Sequence, residues 1–291
     1  MLAAALRFFL LIELAAYMAM AMRLFELSVL SASSAALALL LGSRAGIIAV
    51  TYVFAVTYHS PAPRLGFLRA SAMVLTEYLA FLRLFLLIQP FERLWMGADH
   101  LPPGRRVLLL IHGFGCNRGA WWWLRSRLEN GGYAVATLNL EPPYIEIDHY
   151  VAAVAARIEA ACIESGVDRV TLVGHSMGGL VARAYLERLG VDRVEAVVTL
   201  ATPHSGSVLA RLGIGANSRQ MACNSPWLKA LWQQRPAVPM VSIRNSHDNF
   251  VMPQDGQRFP AARDVELPGL GHLALLFSPK AARNLLDVLR P

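Results

Sequence analysis

The pattern of apolar and polar positions divides the chain into two unequal parts. Within residues 1–90 the formally charged side chains are six arginines and three glutamates, so this part is far more apolar than the rest. It contains three apolar stretches that approach the ~20 residues needed to cross the hydrocarbon core of a bilayer. These stretches lie at about 3–25, 31–57 and 66–89. We therefore predict two or three membrane helices in residues 1–90.

The three stretches differ in the charges that interrupt them. The second is the strongest candidate because Arg44 is its only charge. The first contains Glu13 and is interpreted as a signal anchor, since no small-residue cleavage site follows a short apolar core. In the third, Arg69, Glu77 and Arg83 share one helical face. That helix either spans with this face turned to its neighbours or lies in the membrane interface. A soluble helical cap is the alternative to membrane helices.

After residue 104 the pattern changes to short apolar runs that alternate with amphipathic segments. Several runs lack polar alternation, which is typical of strands in a parallel sheet buried on both faces. The predicted strands are 106–111, 133–140, 169–174, 194–200, 238–244 and 264–269. Helical patterns lie at about 118–130, 148–165, 177–189 and 279–289. Residues 105–291 are thus predicted to form a doubly wound, mostly parallel α/β sheet, preceded by a linker or edge strand at 91–104.

One serine lies where a predicted strand meets a predicted helix. The segment from Gly174 to Gly178 has the form G-x-S-x-G, with Ser176 at its centre. In a nucleophile elbow of this form, a sharp strand-to-helix turn holds the serine hydroxyl above the sheet edge, and the glycines leave room for neighbouring backbone. We therefore predict that Ser176 is a catalytic nucleophile.

A serine nucleophile needs a base that accepts its proton and an acid that orients the base. In the nucleophile-elbow arrangement both partners follow the serine along the chain, the acid first. His272 lies between the last predicted strand and the final predicted helix, the expected place for the base. His204 follows an earlier strand and His247 adjoins the best acid, so each is better explained as a pocket-lining or hydrogen-bonded residue.

The best acid candidate is Asp248, which closely follows the predicted strand 238–244. This position is at the carboxyl edge of the sheet, where the functional groups of such folds collect. Asp255, further along the same loop, is the second choice, and Asp264 begins the next strand at its opposite end. The sequence therefore favours a triad of Ser176, Asp248 and His272.

The oxyanion that develops in such a reaction requires two N–H donors. Met177, directly after the nucleophile, is expected to supply one from the N-terminus of its helix. Phe114 is expected to supply the other, because Gly113 and Gly115 allow the loop after the first strand to turn its backbone into the site. His112 is expected to steady this loop by hydrogen bonding.

An amphipathic segment between the fourth and fifth predicted strands is too long for a bare connection. We interpret about 205–236 as a lid over an acyl pocket, or alternatively as a packed cap that completes the core. Leu209 and Trp227 in this segment, with His112 and with Trp121 of the run "WWWL", are the candidate substrate-binding residues. Two of the three tryptophans in that run are equally well explained as core residues.

Composition argues against several classes of partner. The formal net charge is +7, but the basic residues are almost all scattered arginines that form no stripe suited to a phosphate backbone. We therefore expect no nucleic-acid partner. Cys116, Cys162 and Cys223 have neither the spacing of metal ligands nor the density of a disulfide framework. We expect no metal and no organic cofactor.

With these motifs identified, residues 105–291 resemble bacterial triacylglycerol lipases and related esterases of the α/β-hydrolase superfamily. The resemblance rests on "HGFG" at 112–115, "GHSMGG" at 174–179, "LATPHSGS" at 200–207, "NSHDNFVMP" around the acid and "GLGH" at the base. It implies the same triad and the same two oxyanion donors. Secreted lipases have a cleaved signal peptide and often calcium or disulfide features. None is identified here, which favours a membrane-anchored relative.

The expected function is that of a membrane-anchored serine ester hydrolase of the lipase or esterase type, which cleaves acyl esters of lipids, phospholipids included. An acyltransferase or a thioesterase would use the same acyl-serine intermediate, and a non-catalytic lipid-binding protein is a third alternative. The expected location is the bacterial inner membrane. The flanking arginines do not choose the face on which the catalytic part lies, and the sequence leaves the oligomeric state open.

Overall fold

A computed structural model describes residues 1–233 and 237–290. Within these ranges, six strands form one sheet in the order β2-β1-β3-β4-β5-β6, and every neighbouring pair is parallel. The strands are β1 (Val107–Ile111), β2 (Ala134–Thr137), β3 (Val170–His175), β4 (Val194–Leu200), β5 (Met240–Arg244) and β6 (Arg263–Glu266). The predicted parallel α/β sheet is confirmed, and β4 has the predicted bounds.

The helices follow the predicted order. They are α1 (Leu2–Leu24), α2 (Val29–Thr57), α3 (Phe67–Leu82), α4 (Glu92–Trp95), α5 (Trp122–Asn130), α6 (Tyr150–Ser165), α7 (Met177–Leu189), α8 (Ala216–Met221), α9 (Pro226–Gln233) and α10 (Pro279–Leu289). Between α3 and α4 the chain continues through a π-helical segment and a 3-10 turn, so Phe67–Trp95 is one long helical unit.

The sheet is covered on both faces, which makes the fold doubly wound. All five residues of β1 are buried and apolar. Leu109 and Ile111 belong to a core shared with α6 and α7, whereas Leu108 and Leu110 belong to one shared with α5 and α10. Because successive side chains of a strand point to opposite faces, a continuous apolar run is what such burial requires.

The strand order places the carboxyl ends of β1 and β3 side by side at the middle of the sheet. Ile111, the last residue of β1, pairs with Gly174 of β3. The chain leaves β1 toward β2 and returns on its other side through β3, so the direction of winding reverses at this point. In open α/β sheets, ligands bind in the crevice that such a reversal opens.

Residues 91–104 contain no strand, which corrects the expectation of an edge strand there. Glu92–Trp95 form α4, and the loop after it is held by the Asp99 carboxylate. Asp99 accepts the backbone N–H of Thr137, at the end of β2, at 2.7 Å and forms an ion pair with Arg157 at 2.8 Å. The segment is therefore fixed by polar contacts that a hydropathy pattern does not reveal.

The N-terminal helices include three that are long and apolar enough to cross a membrane, judged by length and composition. Helices α1 and α2 pack as a hairpin in which Arg44 donates hydrogen bonds to the Glu13 carboxylate at 2.5 and 2.7 Å. Their outer faces expose large apolar side chains, such as Phe9, Leu11 and Leu30. The hairpin therefore presents a broad apolar surface.

The α3 unit lies along the sheet domain. One of its faces is buried against that domain through Phe81 and Leu84, which share the core with α5 and α10, and through Glu77. Leu68 and Leu75 on the outer face are exposed. On α2, Ile48 also joins this core. The helical part and the sheet domain are thus packed against each other.

The segment predicted as a lid consists, in its described part, of a 3-10 turn at Val208–Leu212 followed by α8 and α9. Helix α9 packs inward through Leu228 and Leu231, which are buried in the core beside α7. Residues 234–236 of the predicted segment lie outside the described residues. The second half of the segment is thus a packed cap, and its first half faces the site described next.

Candidate active site

Ser176 lies on the sharp turn between β3 and α7. Its backbone has φ +54° and ψ −124°, a conformation that non-glycine residues rarely adopt and that the surrounding structure must enforce. Close packing does so, because a side chain at Gly178 would collide with the Ile111 carbonyl, and one at Gly174 would collide with the backbone of Gly179. The two glycines allow the strained turn that raises the serine above the sheet.

Asp248 and His272, which are distant in the chain, meet beside this turn. The Nδ1 of His272 lies 2.8 Å from Oδ2 of Asp248, and both side chains are buried. The other oxygen of Asp248 accepts the backbone N–H groups of Phe250 and Val251 at 2.7 and 2.8 Å. These contacts orient the carboxylate so that Nδ1 of the imidazole donates and Nε2 is left free to accept a proton.

Burial alone would lower the pKa of His272, because it disfavours the imidazolium. The charge of Asp248 and its hydrogen bond act in the opposite direction, with a further contribution from Glu77, and together they raise the pKa above its ordinary value of 6.5. A pKa raised in this way suits a base that must hold a proton during part of a reaction.

The neighbouring His175 supports the same loop. Its ring lies 4.7 Å from the ring of His272, centroid to centroid, and its Nε2 lies 3.2 Å from the His272 carbonyl oxygen. Burial, followed by the charge of His272, lowers the pKa of His175 well below its ordinary value. A neutral His175 donates its Nε2–H to that carbonyl. Nothing in the sequence indicated this role for His175, because the x of G-x-S-x-G carries no pattern of its own.

The loop after β1 runs directly beside the serine. A Cβ placed on Gly113 would lie 3.0 Å from the Cβ of Ser176. Within the described part of the chain, the N–H groups of Phe114 and Met177 have no hydrogen-bond partner. Gly115 has φ +62°, the conformation expected where this loop turns. Phe114 lines the same cavity as Ser176, and Met177 directly follows the serine, so the role of their N–H groups as oxyanion donors stays a prediction.

His112 holds this loop from below and does not contact the cavity, which corrects its assignment as a substrate-binding residue. Its Nδ1 lies 3.0 Å from the Gly113 carbonyl oxygen, and its Nε2 accepts the Leu140 N–H at 3.0 Å. Burial lowers the pKa of His112 to about 4. The neutral ring is thus a fixed support, as the hydrogen-bonding expectation stated.

Ser176, His272 and the loop residues Gly113 to Cys116 line one cavity of about 720 Å³. Of the other predicted substrate-binding residues, Leu209 lines this cavity. Trp121 and Trp227 lie outside its lining, which corrects their assignment. Trp121 is wholly buried in the core, and Trp227 donates its indole N–H to Asp148 at 2.8 Å.

The remaining histidine candidates lie in structural positions. His204 is buried between the Thr199 hydroxyl, 3.1 Å from its Nε2, and the Arg183 guanidinium, 3.3 Å from its Nδ1. His247 accepts the Gly269 N–H at 3.1 Å through Nδ1. Of the alternative acids, Asp255 pairs with Arg258 and Asp264 with Arg244. None of these four residues takes the place of Asp248 or His272.

Much of the cavity wall comes from residues that the sequence analysis did not connect with the site. The first half of the predicted lid contributes one side, and the N-terminal helices contribute another. The helix-derived lining residues are Leu6, Ser43, Gly46, Ile47, Val50, Thr51 and Phe85. No sequence signal identified them, because an apolar helical stretch looks the same whether it faces lipid or a cavity.

Two polar side chains of these helices are linked to the loop that carries His272, Glu77 directly and Thr51 through Asn249. Thr51 accepts a hydrogen bond from the Asn249 side chain at 2.8 Å, and Asn249 in turn accepts the His272 N–H at 3.0 Å. Glu77 accepts the N–H groups of Leu273 and Ala274. The shared polar face of the third stretch was the signal available for Glu77.

The described residues contain no group of three or more His, Cys, Asp or Glu side chains suited to holding a metal ion.

Comparison with known proteins finds relatives for part of the sheet domain. The family described as "alpha/beta hydrolase fold" matches residues 106–223. A triacylglycerol lipase of Burkholderia plantarii is 31% identical over 127 residues, which are 40% of this chain and 34% of the relative. A triacylglycerol lipase of Pseudarthrobacter phenanthrenivorans is 31% identical over 125 residues, 39% of this chain and 38% of the relative. The match thus spans little more than a third of the length of these relatives.

Solved structures show the same fold at low identity. The mature form of Bacillus licheniformis lipase BlEst2 has a TM-score of 0.60 at 18% identity, covering 68% of this chain and 97% of that one. Aspergillus fumigatus lipase B has a TM-score of 0.57 at 18% identity, covering 64% of this chain and 52% of that one. These similarities extend the agreement in fold well beyond the segment matched in sequence.

Proposed function

We propose that this chain, whose sheet domain has the α/β-hydrolase fold and is similar to bacterial lipases and esterases, is a membrane-bound serine hydrolase of lipid acyl esters. One observation carries the proposal. A serine held in a strained turn shares a cavity with a histidine whose Nδ1 is bound to a buried aspartate. This combination supplies a nucleophile, a base and an orienting acid.

In the proposed reaction, Oγ of Ser176 attacks the ester carbonyl carbon while Nε2 of His272 takes the hydroxyl proton. The N–H groups of Phe114 and Met177 hold the oxyanion of the tetrahedral intermediate. The intermediate collapses, the bond to the alcohol breaks, and His272 gives its proton to the departing alkoxide. Water, deprotonated by His272, then attacks the acyl-serine. The bond between the acyl carbon and Oγ breaks, His272 returns its proton to Oγ, and the acid leaves. Asp248 stabilises the imidazolium in both halves.

An apolar acyl group fits the cavity better than a charged substrate. Its volume of about 720 Å³ is in the range of sites for small molecules. Leu209, Leu212 and Met221 line it on one side, and Ile47 and Val50 line it on another. These side chains favour the acyl chain of a lipid, which supports a lipase-like activity; a phospholipid is one such substrate.

The apolar surface of the α1–α2 hairpin supports membrane attachment. Exposed side chains such as Phe9, Leu11 and Leu30 would face water in a soluble protein, and contiguous apolar patches of this kind mark sites of membrane or protein interaction. Because one face of the α3 unit is buried against the sheet domain, we propose that α3 lies in the interface while the hairpin inserts.

Replacement of the nucleophile tests the catalytic proposal. Ser176→Ala is expected to lower kcat for p-nitrophenyl butyrate roughly 10⁴-fold or more, since the covalent step is lost. The matched control is Ser126→Ala, which removes the hydroxyl of an exposed serine on α5 and should leave kcat within twofold. Labelling of the parent protein by a fluorophosphonate, and its absence in Ser176→Ala, reports the same group. A Ser176→Ala enzyme within tenfold of the parent would contradict the mechanism.

Flotation with phospholipid vesicles tests the attachment. Insertion of apolar helices predicts co-flotation that persists in 1 M salt, because salt screens charge attraction but does not weaken apolar burial. Release of the full-length protein by salt would instead indicate a surface held by its basic residues.

A further inference from the structure

The wall of the cavity that faces Ser176 is divided between the sheet domain and the N-terminal helices. On α2, Gly46, Ile47 and Val50 line it, and Leu6 of α1 and Phe85 beyond α3 continue the wall. The sheet domain supplies the reacting groups, whereas these helix residues supply apolar surface. The cavity is therefore incomplete without the helices.

We propose that this composite cavity is the acyl-binding site, and that the α1–α2 hairpin forms the wall against which the acyl chain of a membrane lipid lies. The inference rests on the proposed function and deepens it, because it assigns a substrate-binding role to helices that otherwise only attach the protein to a bilayer.

Gly46 is the smallest of the helix residues that line this wall. A Cβ added to Gly46 would meet no atom within 4 Å, so a larger side chain can be accommodated there without a clash. The charged pair of the hairpin, Glu13 and Arg44, does not line the cavity. An alkyl chain thus meets mostly apolar side chains and a bare stretch of helix backbone whose polar groups are satisfied within the helix. The two lining hydroxyls, those of Ser43 and Thr51, donate to carbonyl groups of α2 itself.

The same wall residues belong to helices whose outer faces are apolar and exposed. An acyl chain that passes from the bilayer to this wall exchanges one apolar environment for another. It avoids the unfavourable exposure of its methylene groups to water. A cavity built partly from the hairpin therefore favours long-chain lipids held in the membrane over short soluble esters.

Filling the wall at one glycine, with a neighbouring glycine as control, tests the inference. Gly46 and Gly42 lie one turn apart on α2, both are exposed, and a Cβ on either meets nothing within 4 Å, but Gly42 does not line the cavity. Gly46→Leu should lower the ratio of kcat/KM for p-nitrophenyl palmitate to that for p-nitrophenyl butyrate tenfold or more. Gly42→Leu should leave both values within twofold of the parent.

Fluorophosphonate labelling of Ser176 shows whether each variant is folded. Should Gly46→Leu fail to label, Val50→Phe supplies the same test on a second lining residue, with Val53→Phe as its exposed control outside the cavity. An unchanged ratio, or an equal change in variant and control, overturns the composite site while the activity of the parent leaves the proposed function intact. A parent enzyme that hydrolyses neither ester overturns both.

A separate set of contacts gives the third helix a role in catalysis. Glu77 is wholly buried, and its carboxylate accepts the N–H of Ala274 at 2.7 Å and that of Leu273 at 3.0 Å. A side chain at Gly271 would collide with this carboxylate, so the loop on the other side of His272 also lies against it. The structure assigns Glu77 as a positioning residue for the base.

The assignment follows from how the backbone around His272 is held. Three consecutive N–H groups, those of His272, Leu273 and Ala274, donate to side chains of other segments: the first to Asn249 and the other two to Glu77. A carboxylate can accept both of the latter bonds without presenting a donor of its own. Loss of this acceptor allows the loop to shift, and a displacement of about 1 Å can lower a rate 10²-fold.

Glu77→Gln retains the shape of the side chain but turns an NH₂ group toward one of the two N–H donors. It should lower kcat for p-nitrophenyl butyrate 10–100-fold with KM within threefold, and slow fluorophosphonate labelling in parallel. Glu13→Gln is the matched control, since it weakens a carboxylate contact between α1 and α2 without touching the His272 loop. Its kcat should stay within twofold.

A purely structural role would lower the melting temperature in both variants and leave kcat of the folded enzyme unchanged, which would overturn the assignment. If Glu77→Gln does not unfold cooperatively, Thr51→Val tests the neighbouring hydrogen bond between Thr51 and the Asn249 side chain. This variant should lower kcat threefold or more. A kcat of Thr51→Val equal to that of the parent would then contradict the proposal that the N-terminal helices position His272.

Discussion

The variant Asp248→Asn tests whether Asp248 orients His272, because it changes the hydrogen bond to the imidazole and leaves the histidine in place. In the structure, Oδ1 of Asp248 accepts two backbone N–H groups, from Phe250 and Val251, while Oδ2 accepts Nδ1–H of His272. An asparagine has one acceptor oxygen, and the two backbone donors select it for the inner position. The NH₂ group of the variant must therefore face the imidazole.

The consequence is a change of tautomer. With a donor opposite it, Nδ1 of His272 must accept, and the ring proton moves to Nε2, the nitrogen that should take the proton from Ser176. An aspartate-to-asparagine change with this effect lowers kcat roughly 10⁴-fold, which corresponds to about 5.4 kcal/mol at 1.36 kcal/mol per tenfold. Little of the packing changes, because the two side chains have nearly the same shape.

The assay compares kcat for p-nitrophenyl butyrate in the parent, Asp248→Asn and Asp255→Asn, with thermal unfolding as a check of folding. Asp255 is the matched control, being an acid of the same loop that is half exposed and paired with Arg258. We expect its variant to remain within twofold of the parent. Retention of more than a tenth of the activity by Asp248→Asn, or a larger loss in Asp255→Asn, would refute the assignment of the acid.

Three further outcomes follow from the structure. Asp248 raises the pKa of His272, and His272 must be neutral to act as the base, so kcat/KM should fall as pH decreases through a midpoint above 6.5. A pH–rate profile with its midpoint below 6.5 would contradict this prediction. Gly178→Ala places a methyl group against the Ile111 carbonyl and displaces the serine turn, so it should lower kcat about 10²-fold. Gly97→Ala is the control and should leave kcat unchanged, because a Cβ at Gly97 meets nothing within 4 Å. Asp99→Ala removes the acceptor of the Thr137 N–H and the partner of Arg157, so it should lower the free energy of unfolding by about 2–3 kcal/mol. Thermal unfolding should show a melting temperature lower by roughly 4–12 °C, while kcat of the folded enzyme stays unchanged.

The sheet and the helices around it were predicted well because their signals are local. Helices α7 and α10 and strand β4 have the predicted bounds, since the apolar period changes sharply there and glycine, serine or proline marks the ends. Where no such residue marks the end of an element, the predicted bounds were less accurate. Strand β2, for example, is half the length of its predicted run. Residues 91–104 were expected to form a linker or an edge strand. The structure has the short helix α4 and a loop there, and Asp99 in that loop contacts Thr137 and Arg157.

The candidate catalytic residues Ser176, Asp248, His272, Phe114 and Met177 were chosen from their positions relative to strand ends. In the structure Phe114, Ser176 and His272 line one cavity and Asp248 is bound to His272, whereas the catalytic roles of all five residues remain predictions. The substrate-binding residues were predicted less well. Leu209 lines the cavity, but His112, Trp121 and Trp227 do not, because apolar or aromatic character alone does not distinguish a core position from a cavity wall.

The sequence by itself predicted the order of the elements, the sharp serine turn and the candidate catalytic residues, since each depends on periodicity or spacing within a short segment. Tertiary structure alone decided which face of α3 is buried, that Gly46 of α2 lines the cavity, and that Glu77 holds the loop of His272. Glu77 and Leu273 are 196 positions apart in the chain. Contacts of that separation depend on how whole surfaces pack together, and no local pattern of residues encodes them.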